Sequence, residues 1–226
     1  MRLVAGLGNP GPKYAHNRHN VGFMALDEIV RRHSFAPYKR RFQGLLAEGT
    51  VGNERLLALR PMTFMNESGR ALGEALRFYK LAPSELLVIH DELDLAPGKV
   101  RVKRGGGSAG HNGLRSIDAH IGPDYWRLRI GIGHPGDPDL VHPYVLSNFF
   151  EDDALWLAKL LPAIAEAFPL IVADEDSRFM TKLALLLRPP RPKLPREGEE
   201  GPESAQEDGA GRGKAGTRPD ERDPED

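Results

Sequence analysis

Four segments of the chain concentrate the polar side chains that acid–base and electrostatic catalysis require. A histidine exchanges a proton near neutral pH, a carboxylate can fix the orientation of its ring, and an amide can stabilise a developing oxyanion. A glycine-rich loop before a helix lets backbone N–H groups approach a phosphate or an oxyanion closely. The segments that carry these groups are residues 8–20, 64–69, 88–94 and 105–113.

Each segment also has a plainer interpretation as ordinary protein structure. Side chains of residues 8–20, and Asn66, could cap helices, while the carboxylates of residues 88–94 could be solvated in a turn. The glycines of residues 105–113 could form a mobile surface loop. A metal site around His90 is a further alternative, but the sequence lacks a rigid ligand spacing such as H-x-x-x-H. A cap needs one side chain and residues 8–20 offer several, which favours a functional site.

Strands and helices predicted from hydrophobic periodicity alternate along the chain, and their order places the polar segments. Such alternation indicates the α/β class with a mostly parallel or mixed sheet. Ligands bind such sheets outside the carboxyl ends of the strands, where polar segments of this chain lie. The predicted strands are residues 2–7, 42–50, 55–59, 86–90, 99–103 and 126–132, and the predicted helices are residues 20–32, 67–80, 114–121 and one or two within 152–187.

Residues 6–11 fit the G-x-G-x-x-G pattern of a dinucleotide-binding turn, but their context argues against that function. The pattern needs its third glycine inside a helix, whereas Pro10, Gly11 and Pro12 break a helix at this point. The acidic residue that would bind the ribose should follow a second strand, whereas Asp27 and Glu28 fall within a predicted helix. We therefore do not expect a dinucleotide cofactor.

Composition divides the chain into a core-forming part and a tail. Residues 1–187 hold nearly all of the Val, Ile, Leu and Phe, enough for one compact core. From residue 188 to residue 226 the chain has no aromatic residue and a single leucine, Leu194. Such a segment cannot bury enough apolar surface to offset its ordering entropy. We expect one catalytic domain, residues 1–187, and a disordered Pro/Gly/charge-rich tail, residues 188–226.

The charge distribution limits how the chain could bind nucleic acid. The tail holds 8 of the 31 Lys and Arg and 11 of the 32 Asp and Glu, which leaves 23 basic and 21 acidic residues in the body. A nearly neutral body requires any contact with nucleic acid to come from a local patch. The stretch from Lys99 to Arg129 has seven basic and two acidic residues and is the candidate, although charge alone favours a solvated strand face.

Cysteine content and hydropathy exclude several further classes. The chain has no cysteine, so disulfides, thiolate nucleophiles and cysteine zinc sites are excluded. The N-terminal apolar run is too short for a signal peptide. Two prolines and two charged residues interrupt the longest apolar stretch, residues 155–173, so no membrane span is predicted. We expect a cytoplasmic protein.

The motifs of the four segments, together with a further motif at residues 127–135, resemble the bacterial-type peptidyl-tRNA hydrolase family over residues 1–187. The resemblance implies a single α/β domain with a mixed, mostly parallel central sheet flanked by helices. It also implies an esterase that releases a peptidyl or N-blocked aminoacyl group from the 3′ end of tRNA. It implies no cofactor and no metal, tRNA as the binding partner, and a monomer. The motifs are GLGNPG-x-x-Y from Gly6, NRHN from Asn17, TFMN-x-SG from Thr63, HDELDLAPG from His90, GG-x-x-GHNGL from Gly106 and RLRIGIGHP from Arg127.

The resemblance also implies roles for single residues. The family's general base matches His19 and its orienting carboxylate matches Asp91, a pair suited to deprotonating water near neutral pH. Asn112, at a predicted helix start, is the candidate for stabilising the oxyanion, and Asn9 is expected to accept a hydrogen bond from the peptide N–H. The substrate-holding amides are Asn9, Asn66 and Asn112; Tyr14 and Phe64 line the tRNA 3′ end; and Lys103 and Arg129 clamp the tRNA 5′-phosphate.

Three positions depart from the family pattern. Ala109 stands where the family usually has glycine, so the loop before His111 is expected to differ slightly in shape. Pro143 and Ser147 replace residues that are commonly glycine in the following lid segment, which changes the expected mobility of that segment.

Two other classes of protein compete with this interpretation. A non-catalytic RNA-binding relative would have no need of the His19–Asp91 pair that this chain retains. A small-molecule esterase or nucleosidase would have no need of the basic stretch between Lys99 and Arg129, which favours a phosphate-rich substrate.

Overall fold

The structure is a computed structural model and describes residues 1–188. Its elements in chain order are β1 (Arg2–Gly6), α1 (Val21–Arg32), β2 (Lys39–Arg41), β3 (Gly44–Val51), β4 (Glu54–Pro61), α2 (Ser68–Tyr79), β5 (Leu86–Glu92), β6 (Val100–Arg104), α3 (Asn112–Ile121), β7 (Trp126–Gly131), α4 (Val141–Val145), α5 (Glu151–Val172) and α6 (Asp176–Leu186). Short 3-10 helices precede α1 at Arg18–Asn20 and α2 at Met65–Glu67.

The strands of residues 1–188 form one mixed sheet in the order β2-β3-β4-β1-β5-β7-β6. The four central strands, β4, β1, β5 and β7, run parallel, while β2 and β3 at one edge and β6 at the other pair antiparallel. Because β1 and β5 are neighbours in the centre, the loops that follow them open at the same end of the sheet. The predicted α/β class with a mixed sheet is confirmed.

Both faces of the sheet are covered by helices, and alternate residues of each central strand serve the two cores. On β1, Val4 packs in the core beneath α1, α5 and α6, whereas Leu3 and Ala5 pack beneath α2 and α3. Coverage on both sides explains why these strands appear in the sequence as continuous apolar runs. A Cβ at Gly22 would collide with the backbone of Leu7 and Ile89, so this glycine lets the start of α1 lie against the strand ends.

The structure differs from the predicted elements near the edge of the sheet. Strand β2 was not predicted, and β3 begins at Gly44 rather than at Phe42 because Phe42 and Gln43 form the turn between the two strands. Both turn residues have left-handed backbone angles, with φ of 52° each. A two-residue turn of type I′ requires such angles at both positions. Asn and Gly usually occupy these positions, and this turn has neither.

The C-terminal region forms two helices, α5 and α6, of the one or two that were predicted. Within residues 1–188, α5 alone is long and apolar enough to cross a membrane by length and composition, although Pro162 and Pro169 lie inside it. Core helices of soluble proteins pass the same test, so this is weak evidence for a membrane span. The apolar side of α5, including Ile164 and Phe168, packs in the core with α1 and the sheet.

The tail predicted at residues 188–226 lies outside the described residues from residue 189 onward. The last described helix ends at Leu186, close to the predicted boundary of the catalytic domain.

Candidate active site

A hydrogen-bonded chain of two histidines and one carboxylate lies where β5 ends. Asp91, on β5, lies 2.9 and 3.0 Å from Nδ1 of His19, which comes from the 3-10 helix before α1. The same carboxylate lies 3.0 Å from Nε2 of His111, which caps α3. His19 and Asp91 are 7% and 2% exposed, so water screens this pair only weakly.

The backbone around His111 fixes the tautomers of this chain. Nδ1 of His111 accepts hydrogen bonds from the backbone N–H groups of Gly113 and Leu114, so it carries no proton. His111 then donates its Nε2–H to Asp91. Asp91 accepts from Nδ1–H of His19 in the same way, which leaves the lone pair of His19 on Nε2.

The charge of Asp91 controls the protonation of its neighbours. Burial opposes protonation of His19, but the charge of Asp91 and its hydrogen bond outweigh burial and raise the pKa of His19 above 6.5. Burial opposes ionisation of Asp91, but His19 and His111 hold the pKa of its carboxyl well below 3.8. Burial lowers the pKa of the neighbouring His90 to about 3. Asp91 is therefore ionised and His90 neutral at neutral pH.

The geometry disfavours a metal ion on this chain. The ligand atoms of His19, Asp91 and His111 lie within 4.8 Å of one another, so their spacing alone would allow one. A metal-bound histidine normally carries a proton on its other nitrogen and donates it to a neighbour. Nδ1 of His111 instead accepts two backbone N–H groups, which leaves no place for that proton.

His19 opens onto a cavity of about 630 Å³, here called the His19 cavity. Asp91 and Asn112 lie in its wall, together with the predicted phosphate clamp, Lys103 and Arg129. Five of the nine predicted site residues thus line one cavity. The guanidinium of Arg129 is also paired with Glu92, with Nε 2.8 Å from the carboxylate.

Hydrogen bonds set the orientation of two of the predicted amides. Arg115, which can only donate, lies 2.5 Å from Oδ1 of Asn112, so the Nδ2 donor of Asn112 points away from that contact. Oδ1 of Asn9 accepts the backbone N–H of Met65 at 2.9 Å, which leaves its Nδ2 as the free group. The side-chain carbonyl of Asn9, the expected acceptor for a peptide N–H, therefore already has one hydrogen-bond donor.

The loop that carries Asn9 is fixed to the segment that carries His19. Oδ1 of Asn20 accepts a hydrogen bond from the backbone N–H of Asn9, and Nδ2 of Asn20 donates one to the backbone carbonyl of Asn9. Both distances are 2.9 Å. Asn9 and Asn20, both within segment 8–20, therefore hold each other in place.

The remaining predicted residues lie away from the His19 cavity. Phe64, 56% exposed, lines a neighbouring groove of about 700 Å³ beside Arg40 and Arg41. Asn66 is exposed within its 3-10 helix and forms no cap there. Tyr14 lies in the loop after β1, where the ammonium of Lys13 sits 4.7 Å from its ring centre.

The basic stretch from Lys99 to Arg129 is a smaller patch than its charge count indicates. Arg104 and Arg129 pair with carboxylates, and Arg115 holds Asn112. Arg127 is 3% exposed and donates to the carbonyls of Gly106 and Gly107, at 2.7 Å each. Within residues 1–188, the cations of this stretch that form no salt bridge and hold no other side chain are Lys99, Arg101 and Lys103.

Sequence reasoning missed three residues that hold the site together. His111 was seen only as a neighbour of Asn112, Arg127 only as part of a basic stretch, and Arg18 only as a letter of the NRHN motif. Each contacts its partner across more than 15 residues of chain. A Gly-rich loop followed by His at a helix start is the one sequence signal that pointed toward His111.

The three positions that depart from the family pattern differ in backbone conformation, location and contacts. Ala109 has a left-handed backbone with φ of 45°, a conformation that favours glycine. Pro143 lies within α4, and the Ser147 hydroxyl accepts a hydrogen bond from Arg18 at 2.8 Å.

Comparison with known proteins places this fold and site in an established family of enzymes. The family model of peptidyl-tRNA hydrolase matches residues 3–191, so the chain belongs to the peptidyl-tRNA hydrolase family. The peptidyl-tRNA hydrolase of Rhodospirillum centenum is 61% identical over 191 residues, covering 84% of each chain. That of Parvibaculum lavamentivorans is 58% identical, covering 88% of this chain and 98% of the relative.

A solved structure agrees with the sequence relatives. The crystal structure of peptidyl-tRNA hydrolase from Acinetobacter baumannii superposes with a TM-score of 0.77 at 38% identity. The superposition covers 81% of this chain and 94% of the other.

Proposed function

We propose that this protein hydrolyses the ester between a peptidyl or other N-blocked aminoacyl group and the 3′ end of tRNA. It would recycle peptidyl-tRNA released from stalled translation, in the cytoplasm and as a monomer. The observation that carries the proposal is the buried His19–Asp91 pair, which leaves Nε2 of His19 free beside a cavity lined by cations. Family membership supplies the substrate class.

In the proposed reaction, Nε2 of His19 takes a proton from water as the oxygen attacks the ester carbonyl. The negative charge that forms on the carbonyl oxygen accepts a hydrogen bond from Nδ2 of Asn112. The intermediate then breaks its bond to the ribose oxygen, which takes the proton from His19. The products are the peptide carboxylic acid and the free 3′ end of tRNA. Asp91 stabilises the imidazolium while it exists.

Lys103 and Arg129, which line the His19 cavity, would bind the 5′-phosphate of the tRNA. Arg129 can serve although it is paired, because Glu92 engages its Nε and leaves the terminal nitrogens for phosphate. Phe64 and Tyr14 would contact the 3′-terminal nucleotides through their rings, and Asn66 is exposed for a contact with the substrate.

The orientation of Asn9 gives a physical basis for choosing blocked substrates. Its free Nδ2 can donate to the acyl carbonyl that a peptidyl or N-acetylaminoacyl group has and a free aminoacyl group lacks. A free substrate would instead bring a charged ammonium beside this donor, and that charge would be desolvated at considerable cost. We therefore expect a higher kcat/KM for N-blocked substrates, with the preference reduced in Asn9→Ala.

The decisive experiment measures release of an N-acetylaminoacyl group from tRNA and from the bare nucleoside ester. We expect efficient release from tRNA only, and a loss of at least about 100-fold in turnover for His19→Ala with little loss of tRNA affinity. A non-catalytic RNA-binding relative would bind tRNA and release nothing. A small-molecule esterase would cleave both substrates equally well.

The salt dependence of tRNA binding tests the phosphate clamp separately. Removing the charge of Lys103 or Arg129 should lower the slope of log affinity against log salt by about one unit per lost phosphate contact. Arg104, on the same strand as Lys103 but paired with Asp124, provides the matched control. An unchanged slope in Lys103→Ala and Arg129→Ala would contradict the clamp.

A further inference from the structure

Arg18, the residue before His19, is a buried cation. Its side chain is 3% exposed, and its Nη2 lies 2.7 Å from the carboxylate of Asp153 at the start of α5. Nη1 donates to the Ser147 hydroxyl and to the Asn148 carbonyl. These contacts are called the Arg18 clamp.

Aromatic rings enclose the guanidinium on its remaining sides. The rings of Tyr144, Phe149 and Phe150 lie with their centres 4.7, 5.4 and 4.7 Å from its central carbon. Rings and carboxylate together compensate the charge, which would otherwise be very costly to bury. A guanidinium fits such a site because its planar fork bonds several acceptors in fixed directions, which an ammonium cannot do.

The backbone reinforces the clamp. The N–H of Arg18 donates to the Ser147 carbonyl, and the N–H of Phe149 donates to the His16 carbonyl, both at 3.0 Å. Between them, Asn17 and Asn148 form an isolated antiparallel bridge, and their side-chain amides are 2.7 Å apart. Residues 16–18 and 147–149 therefore form one short seam beside the candidate base.

The helix α4, which precedes residues 147–149 of the seam, forms part of the wall of the His19 cavity. Val141, His142 and Val145, on α4 and directly before the seam, line that cavity. A substrate that moves α4 would therefore displace residues 16–18, the segment next to His19.

We propose that Arg18 is a positioning residue that holds His19 against Asp91 by fixing residues 16–18 to residues 147–153. His19 is correctly placed only while this wall of the cavity keeps the position that it has in the structure. This inference rests on the proposed role of His19 as the general base. Stability alone would not require such a site, since well-packed apolar residues often replace buried ion pairs without loss.

The test compares Arg18→Gln, Arg18→Lys and Asp153→Asn in hydrolysis of N-acetylaminoacyl-tRNA. We expect Arg18→Gln to lower kcat by about 10- to 100-fold with KM changed little, because small misplacements of a catalytic group have costs of this size. Arg18→Lys should recover only part of the loss. Asp153→Asn should act in the same direction, and the double variant should be no worse than Arg18→Gln alone.

The pH profile of kcat separates positioning from general destabilisation. The titratable groups that face His19 are Asp91 and His111, and none of these substitutions alters them. If His19 drifts from Asp91, the acid limb of the profile should move to lower pH in Arg18→Gln. Arg2→Gln is the matched control, since it removes a bidentate pair with Asp174 remote from the site and should leave kcat and the profile unchanged.

Three results would overturn the inference. One is an Arg18→Gln protein that melts earlier but keeps the wild-type kcat and pH profile. Another is a loss confined to tRNA affinity, which would make Arg18 a binding residue. The third, if Arg18→Gln does not fold, is wild-type kcat in both Arg18→Lys and Asp153→Asn. His19→Ala distinguishes these results from failure of the proposed function, because an active His19→Ala protein would refute the base itself.

Discussion

At the scale of single residues, the site depends on which atoms of its polar groups are already engaged. Asp91 accepts from two histidines, so its charge both orients His19 and raises its pKa. Asn112 and Asn9 each have their side-chain carbonyl held by an N–H group from the protein, which leaves Nδ2 as the donor that the proposed reaction uses. The same side chains turned over would present acceptors and could not stabilise an oxyanion.

Asp91→Asn should move the acid limb of the pH profile to lower pH and should also reduce the maximal rate. The base works when neutral, so kcat/KM rises with pH through the pKa of His19. Loss of the Asp91 charge removes what raises that pKa, and burial then lowers it, so the midpoint should move to lower pH. The plateau should fall by about 100-fold or more, because the amide no longer fixes the tautomer. A midpoint that moves to higher pH would contradict this account.

Asn112→Asp should test the orientation of the amide. The carboxylate keeps the contact with Arg115 but replaces the Nδ2 donor by an acceptor that repels an oxyanion. We expect kcat to fall by about 100- to 1000-fold, as for loss of an oxyanion donor, with a smaller change in KM. Arg115→Gln is the control that loosens the amide and retains the donor, and it should cost far less. Equal losses in the two variants would contradict the proposed role of Nδ2.

At the scale of elements, the loop between β6 and α3 shows how the fold presents Asn112. The buried guanidinium of Arg127, on β7, holds the carbonyls of Gly106 and Gly107. His111 then ends the loop by capping α3 and contacting Asp91. Two strands and a helix therefore fix a glycine-rich segment that composition alone would describe as mobile. Ala109, with φ of 45°, is the strained point of this loop.

Ala109→Gly should stabilise the protein slightly. A left-handed backbone costs an L-residue about 1–2 kcal/mol, and glycine removes that cost but loses about 0.4–1 kcal/mol through its freer unfolded chain. We expect a net gain of about 0.5–1 kcal/mol in the free energy of unfolding, measured by urea titration. Ala158→Gly, at an exposed position inside α5, is the matched control and should instead cost about 1 kcal/mol. A loss of stability in Ala109→Gly would show that the alanine methyl packs usefully.

At the scale of the whole molecule, the centre of the sheet carries titratable groups that the fold must keep in one charge state. His90, 1% exposed on β5, has its Nδ1 2.6 Å from the Asp91 carbonyl and a pKa lowered to about 3. Its pKa in the unfolded chain is about 6.5. Between these values the unfolded state binds a proton that the folded state excludes, so stability falls as pH drops. The lowered pKa of Asp91 acts in the same direction below 3.8.

His90→Asn should therefore flatten the acid loss of stability. Each titrating group contributes up to about 1.4 kcal/mol per pH unit between its two pKa values. Unfolding free energies measured at about pH 7.5 and about pH 4.5 should differ less in His90→Asn than in the wild type. Comparing the two pH values within each protein removes any loss that does not depend on pH. An undiminished difference would mean that His90 is protonated in the folded state.

The sequence alone determined the class of fold and the family. Continuous apolar runs alternating with helical periodicity can be satisfied by few architectures, so the parallel centre of the sheet could be predicted without coordinates. The long motifs around His19, Asp91 and Asn112 identified the candidate base, carboxylate and amide through their resemblance to the family, because the motif positions select one residue among several of the same type. The turn at Phe42-Gln43 could not be predicted, since neither residue signals a left-handed backbone.

Only the tertiary structure decided which atoms of these residues are available. Whether Asn9 offers its carbonyl or its amino group depends on Met65, which lies 56 residues away along the chain. His111 and Arg18 owe their contacts to Asp91 and Asp153, which approach them only when strands and helices pack. Hydrogen bonds select single atoms over a few ångströms, and a sequence gives the order of side chains but not these separations.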